Sequence, residues 1–225
     1  METTNLSPAK GLQTIRKANI WAIIAVVLAA IGGIIIVVSQ AMSGNWAQYL
    51  EQLKNDNNVF TLAIIAGGTI LSMVSVILIL IARVRELLGL FTLSKIHTGY
   101  KTALILILSS LVLSVVVYAL LKGTVSEIAL QVLNLFFIAS VYFIINTTVE
   151  FLRNHGNDEL AAKGLRVCWL YVGCNVVATA AELLALLPAL ELVAGVVALV
   201  TAVLQFVALF KYIGFLGKAA TALES

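Results

Sequence analysis

The sequence predicts an all-α polytopic membrane protein with six transmembrane helices arranged as three tandem helical hairpins. Apolar residues make up 61% of the 225 residues and charged residues only 11%, which lies outside the range of ordinary soluble domains. The apolar residues fall into six runs of about 20 residues, the length that a helix needs to cross a hydrocarbon core. These runs cover residues 20–39, 60–82, 103–121, 128–148, 167–187 and 190–214.

The distribution of positive charge predicts that both termini are cytoplasmic. Twelve of the 14 Lys and Arg residues lie before the first run, in the second and fourth loops, or in the C-terminal region. The first and third loops hold only Lys54 and Lys122, and the fifth holds none. The positive-inside rule assigns the basic loops to the cytoplasm. Because these charges cluster at helix ends without interleaved aromatic residues, we expect no nucleic-acid partner.

The loops divide the chain into three hairpins with one shared layout. The distance from Lys17 to Lys101 exceeds that from Lys101 to Arg166 by about the length of residues 40–59, which indicates an insertion in the first outer loop. Trp46 and its helical neighbours predict that this insertion lies in the outer interface. The predicted segments are an amphipathic cytoplasmic N-terminus 1–19, hairpin 20–82, amphipathic cytoplasmic connector 83–102, hairpin 103–148, cytoplasmic loop 149–166, hairpin 167–214 and cytoplasmic tail 215–225.

Small residues mark one face of each of the first two runs. They recur at helical spacing as Ala25, Ala29 and Gly33 in the first run, and as Gly68, Ser72 and Ser75 in the second. Small residues let two helix backbones approach closely. We therefore expect these faces to pack.

A polar stripe distinguishes the fifth run. Spacings of three and four residues put Cys168, Tyr171, Asn175, Thr179 and Glu182 on one helical face. An acidic residue at the bilayer centre costs on the order of 3 kcal/mol, so Glu182 requires an explanation. It is either part of an ion or proton site, or a carboxylate that reaches the outer headgroups or hydrogen-bonds to a neighbouring helix.

The fourth run supplies candidate partners for this stripe. Gln131 and Asn134 are three residues apart on one face and lie in the same outer third as Glu182. The candidate intramembrane polar site therefore comprises Tyr171, Asn175, Thr179, Glu182, Gln131 and Asn134. Such residues either line a path for a solute or serve as interhelical hydrogen-bonding groups.

Two further patterns bear on lipids and on catalysis. The connector carries four cations suited to contact anionic lipid, which are Arg83, Arg85, Lys95 and Lys101. His97 and His155 have no partners at metal-ligand spacing, and no phosphate-binding loop or nucleophile elbow is present in the sequence. We therefore expect no catalytic residue, no metal and no cofactor.

Residues 146–166 read NTTVEFLRNHGNDELAAKGLR. Around this segment the chain resembles small six-helix bacterial inner-membrane proteins that have no established activity. The resemblance covers about the last third of the chain and implies a location in the bacterial cytoplasmic membrane.

Three functions are compatible with the sequence. The first is a non-catalytic scaffold, accessory or assembly subunit that contacts itself or another membrane protein. The second is a channel or carrier for an ion or small solute that uses the stripe of the fifth run. The third is a lipid-handling protein that uses the basic connector.

Overall fold

The computed structural model describes residues 8–43, 59–187 and 189–224, and these residues form six α-helices and no strands. The helices are α1 Pro8–Ser43, α2 Val59–Ser94, α3 Thr98–Leu120, α4 Thr124–Asn154, α5 Asp158–Ala185 and α6 Glu191–Ala222. Each contains a span long and apolar enough to cross a membrane. The prediction of an all-α, multi-pass membrane protein with six membrane-length helices is confirmed.

The chain divides into two compact units. The smaller unit is Lys17–Glu86, and the larger unit combines Met1–Arg16 with Leu87–Ser225. Helices α1 and α2 contribute residues to both units, whereas α3 to α6 belong to the larger unit alone.

In the smaller unit, α1 and α2 approach each other closely at two glycines. A Cβ atom on Gly32 would lie 2.8 Å from the carbonyl oxygen of Gly68 and 2.8 Å from Ser72 Oγ. Gly33, which the sequence pattern placed on this face, would meet nothing within 4 Å. The pattern was therefore wrong by one position in α1, because alanine and glycine alone do not determine which side of a helix meets its neighbour. Gly68 and Ser72 do lie at the contact.

In the larger unit, the helices from α3 to α6 pack in antiparallel order, each against the next one along the chain. Ser110 Oγ donates to the carbonyl oxygen of Leu133 at 3.1 Å, and the Tyr100 and Thr148 hydroxyl oxygens are 2.9 Å apart. The contacts of α4 with α5, and of α5 with α6, follow the same order. Because α4 packs against α5 as well as against α3, these contacts do not single out the predicted pairs.

The most deeply buried apolar residues of the larger unit lie at one end of its helices, where α3 and α5 begin and α4 and α6 end. Many of them lie outside the apolar runs of the sequence. The fully buried ones in these flanking segments include Leu12, Ile15, Leu90, Leu93, Tyr100, Leu152, Leu216 and Ala219. We refer to this buried cluster as the end core.

The end core explains why helical structure extends past the apolar runs. The predicted N-terminal segment 1–19 is, from Pro8 onward, the first part of α1, and its apolar face is buried. The predicted connector 83–102 consists of the end of α2, a short turn and the start of α3. The predicted insertion lies largely in residues 44–58, outside the described residues.

The predicted loop 149–166 is also mostly helical. Helix α4 continues to Asn154 and α5 begins at Asp158, with a short turn between them. Gly156 has a φ of +74° in this turn, a conformation that glycine adopts without strain. The predicted tail is helical to Ala222.

Replacing Gly32 with leucine should destabilise the smaller unit. The new side chain would collide with the backbone of Gly68, and overpacking of this kind costs about 1–3 kcal/mol. Gly33→Leu is the matched control, because its Cβ would enter open space. Reversible unfolding in detergent micelles measures the free energy of unfolding of both variants. Equal stability of the two variants would contradict this contact.

Candidate intramembrane polar site

Two polar contacts join α4 to α5 within the larger unit. The Gln131 side-chain amide donates to the Glu182 carboxylate. One helical turn further along, Asn134 Nδ2 donates to Thr179 Oγ1 at 3.1 Å. The structure thus brings together four of the six residues of the candidate site, and it pairs them in antiparallel register.

The other two residues of the candidate site, Tyr171 and Asn175, contact α6 instead. Gln205 Nε2 donates to Asn175 Oδ1 at 3.1 Å, and Asn175 Nδ2 donates to the Tyr171 carbonyl oxygen at 2.8 Å. The Tyr171 ring packs at 5.4 Å, between centroids, against that of Tyr212. Gln205 and Tyr212 therefore join the six residues of the candidate site in one series of contacts along α5, which we call the polar ladder. The set predicted from the sequence omitted these two residues. The signal for Gln205 was an amide within an apolar run.

The residues of the polar ladder differ in their exposure. Tyr171 and Thr179 are buried between helices, whereas Glu182 and Asn134 are exposed on the outside of the α4–α5 pair. Large apolar side chains on α4, including Val132 and Leu135, are exposed beside them. The Glu182 carboxylate accepts one described side-chain hydrogen bond, and a carboxylate has sites for about four. It retains the capacity to accept further hydrogen bonds or to bind a cation.

A second cluster lies where the start of α3 packs against the end of α4. The Tyr100 ring stacks on Phe151 at 6.1 Å between centroids, while its hydroxyl contacts Thr148. The His97 ring meets Phe151 edge-on at 5.6 Å, and His97 Nε2 is 3.8 Å from Glu150 Oε2. Thr148 and Phe151 are three residues apart within residues 146–166. That helical spacing was the available signal.

His97 also begins α3. Its side-chain nitrogen Nδ1 accepts a hydrogen bond from the Gly99 backbone N–H at 3.1 Å, which satisfies one of the free amides at the helix start. This cluster consequently has a structural role, because it fixes the turn between α2 and α3 against the end of α4.

The four cations predicted to contact anionic lipid fall in different units. Arg83 and Arg85 belong to the smaller unit, and Lys95 and Lys101 to the larger one. Arg83 Nη1 is 2.8 Å from the buried Glu86 carboxylate, and Lys95 Nζ lies 4.7 Å from the centre of the Phe91 ring. Arg85 and Lys101 are exposed.

Cys168 and Cys174 are both free and buried. Among the described residues, no three His, Cys, Asp or Glu side chains are grouped so that they could hold a metal ion. Comparison of the chain with protein-family models, with curated proteins and with solved structures gives no match.

The Asn134–Thr179 hydrogen bond can be measured by a double-mutant cycle. Asn134→Leu and Thr179→Val should show a coupling of about 0.6 kcal/mol, the average for interhelical hydrogen bonds in membranes. Thr201→Val is the control, because within the described part of the chain the Thr201 hydroxyl donates to carbonyls of its own helix, those of Val197 and Ala198. Unfolding in detergent gives the free energies. A coupling for Asn134 and Thr179 no larger than that for Asn134 and Thr201 would contradict the pairing.

Proposed function

We propose that this protein is a non-catalytic integral membrane protein that acts through membrane-embedded contacts. It would serve as a scaffold, an accessory protein or an assembly subunit, bound to a second copy of itself or to another membrane protein. The observation that supports this proposal is the exposed polar edge formed by Glu182 and Asn134 on the α4–α5 pair.

Hydrocarbon cannot hydrogen-bond to a carboxylate or an amide, so exposed polar groups within a membrane span are costly. Polar residues in such spans ordinarily face the interior of a bundle or a partner. Glu182 and Asn134 lie on an outer surface of the larger unit, where a neighbouring helix with hydrogen-bond donors would cover them. The exposed apolar side chains of Val132 and Leu135 would pack against the same partner.

The proposed setting is the bacterial cytoplasmic membrane, with both termini in the cytoplasm and the helices derived from three tandem hairpins. It rests on the basic residues of the alternate loops and on the family resemblance of residues 146–166. The end core is consistent with it. The segments that form this core flank the apolar runs on the side to which the basic loops belong.

The assembly can be tested with the double variant Gln131→Leu/Glu182→Leu. Self-association in detergent should be roughly three- to tenfold weaker for the double variant than for the wild-type protein, because interhelical hydrogen bonds contribute about 0.6 kcal/mol each. Analytical ultracentrifugation over a range of detergent-to-protein ratios measures this. Gln205→Leu is the control, since it also removes an amide from a span but at the α5–α6 contact.

If the wild-type protein is monomeric, the same variants are compared for a co-purifying membrane protein. Loss of that partner only in Gln131→Leu/Glu182→Leu supports the proposal. A monomer that carries no partner, or an assembly that the double variant retains at full strength, contradicts it.

A second candidate function is that of a channel or carrier for an ion or small solute. It is supported by the ladder itself, which continues from Glu182 through Thr179 and Asn175 to Tyr171 along α5. Polar groups at successive turns offer a solute successive sites within the span.

Flux through proteoliposomes tests this second candidate. Under it, Glu182→Gln should change the rate of passage of ions or small solutes, or the pH dependence of that rate. Glu127→Gln is the control, because Glu127 is an exposed carboxylate in the first turn of α4. Flux that is the same in Glu182→Gln as in the wild type removes Glu182 from the mechanism.

A further inference from the structure

A groove opens between the start of α1 and the end of α6 in the larger unit. Its volume is about 650 Å³, and its lining consists of Arg16, Gly214, Gly217, Lys218, Thr221 and Ala222. The five α6 residues recur at helical spacing, so they form one face of that helix. Arg16 is the contribution of α1.

Two glycines create the space in this groove. A Cβ on Gly217 would lie 3.0 Å from both Cζ and Nε of Arg16, so the guanidinium lies directly against the backbone of α6. A Cβ on Gly214 would meet nothing within 4 Å. At Gly217 the Arg16 guanidinium therefore lies on the backbone of α6, whereas the space beside Gly214 is open.

The groove carries two cations, Arg16 and Lys218. Both are exposed, and within residues 8–43, 59–187 and 189–224 neither has a carboxylate partner. The nearby Glu224 carboxylate accepts a hydrogen bond from Gln13 Nε2 at 3.3 Å. The Thr221 hydroxyl donates to the Gly217 carbonyl oxygen at 3.2 Å. Positive charge is thus left available on the groove wall.

The depth of these cations matches that of lipid headgroups. Arg16 precedes the apolar run 20–39 by four residues, and Lys218 follows the run 190–214 by four residues. At about 1.5 Å per residue, each lies about 6 Å beyond the end of an apolar run. The headgroup layer extends about 5–7 Å beyond each face of the hydrocarbon core, so the lengths of the runs put both cations at the level of the lipid phosphates, on the side to which the basic loops belong.

We propose that this groove binds a phosphate oxyanion between Arg16 and Lys218. The Arg16 guanidinium supplies a planar fork of N–H donors that matches phosphate geometry, and Lys218 on α6 supplies a second, compact charge. The open space at Gly214 admits the group that bears the phosphate. An anionic phospholipid and free phosphate share this chemistry, and binding measurements with each of them distinguish the two sources.

The site is tested by native mass spectrometry of detergent-purified protein with added phosphatidylglycerol or phosphatidylcholine, and by calorimetric titration with inorganic phosphate. Arg16→Gln/Lys218→Gln should weaken phosphatidylglycerol binding by on the order of tenfold. Arg153→Gln/Arg166→Gln is the control, since it removes the same charge from two exposed sites outside the groove.

A second variant keeps every charge and closes the space. Gly214→Leu should lower phosphate-group binding, whereas Gly195→Leu, equally unobstructed and on the same helix, should not. Size-exclusion profiles identify variants that are misfolded. The comparison of Gly214→Leu with Gly195→Leu then tests the phosphate site independently of the charge variants.

Loss of phosphatidylglycerol binding in the groove variants alone supports the site and assigns a lipid source. Loss of inorganic phosphate binding in the same variants, with lipid unaffected, supports the site and assigns a free phosphate. Equal loss in the groove and control charge variants, or unchanged binding of both ligands in Gly214→Leu, overturns the proposal.

Discussion

The end core is the packing on which the larger unit depends. Within a bilayer, apolar side chains gain little by packing on each other, because lipid tails are as apolar as leucine. Where helices leave the apolar runs, water or headgroups surround them, and the hydrophobic effect drives their apolar faces together. Leu12, Leu90 and Leu216 are fully buried there, whereas Val112 in the middle of α3 is 63% exposed. The helix ends are therefore the part of this unit that protein contacts hold most tightly.

Inside the apolar runs, a different interaction sets the register of the helices. A slide of α4 along α5 by one turn would separate Gln131 from Glu182 and Asn134 from Thr179 at once. Such a slide can restore only one polar pair, Asn134 with Glu182 or Gln131 with Thr179, and it leaves the other two groups without a partner in a medium that offers no replacement. Two weak bonds at adjacent turns thus fix an alignment that apolar packing alone leaves loose. This structural role applies whether or not the ladder also contacts a partner or a solute.

The sequence was sufficient to predict six membrane-length helices, because the hydrophobic runs have the length that the bilayer demands. It did not predict where those helices end. Hydropathy falls at Arg16 and Arg83, but α1 begins before Arg16 and α2 ends after Arg83. The helices extend this far because Leu12 and Leu90 are buried in the end core. The residues that bury these two side chains are distant from them in sequence. The position of Gln131 and Asn134 beside the stripe of α5 was predictable, since helices that share a membrane share a depth axis.

Other features depended on facts that a single helix does not contain. Gly32 and Gly33 are indistinguishable in composition, and only the approach of α2 selects Gly32. Asn175 lies on the same stripe as Thr179, yet it bonds to α6 while Thr179 bonds to α4. A stripe along a helix that lies between two neighbours is divided between them, so its polar residues need not form one site. Periodicity identifies the face, and only the arrangement of the neighbours assigns each residue on it.

The polar edge and the basic groove differ in the burial of the side chains around them. The exposed edge at Glu182 lies near the end of α5, and the groove at Arg16 and Lys218 lies at the opposite end of the larger unit, beside the end core. The groove lies on tightly buried helix ends, because Leu216, Ala219 and Ala220 next to its lining residues are buried in the end core. The Glu182 edge lies away from the end core, and Glu182 and Asn134 are themselves exposed. A basic groove on buried helix ends suits recognition of a small anion, and an exposed polar edge suits contact with another helix.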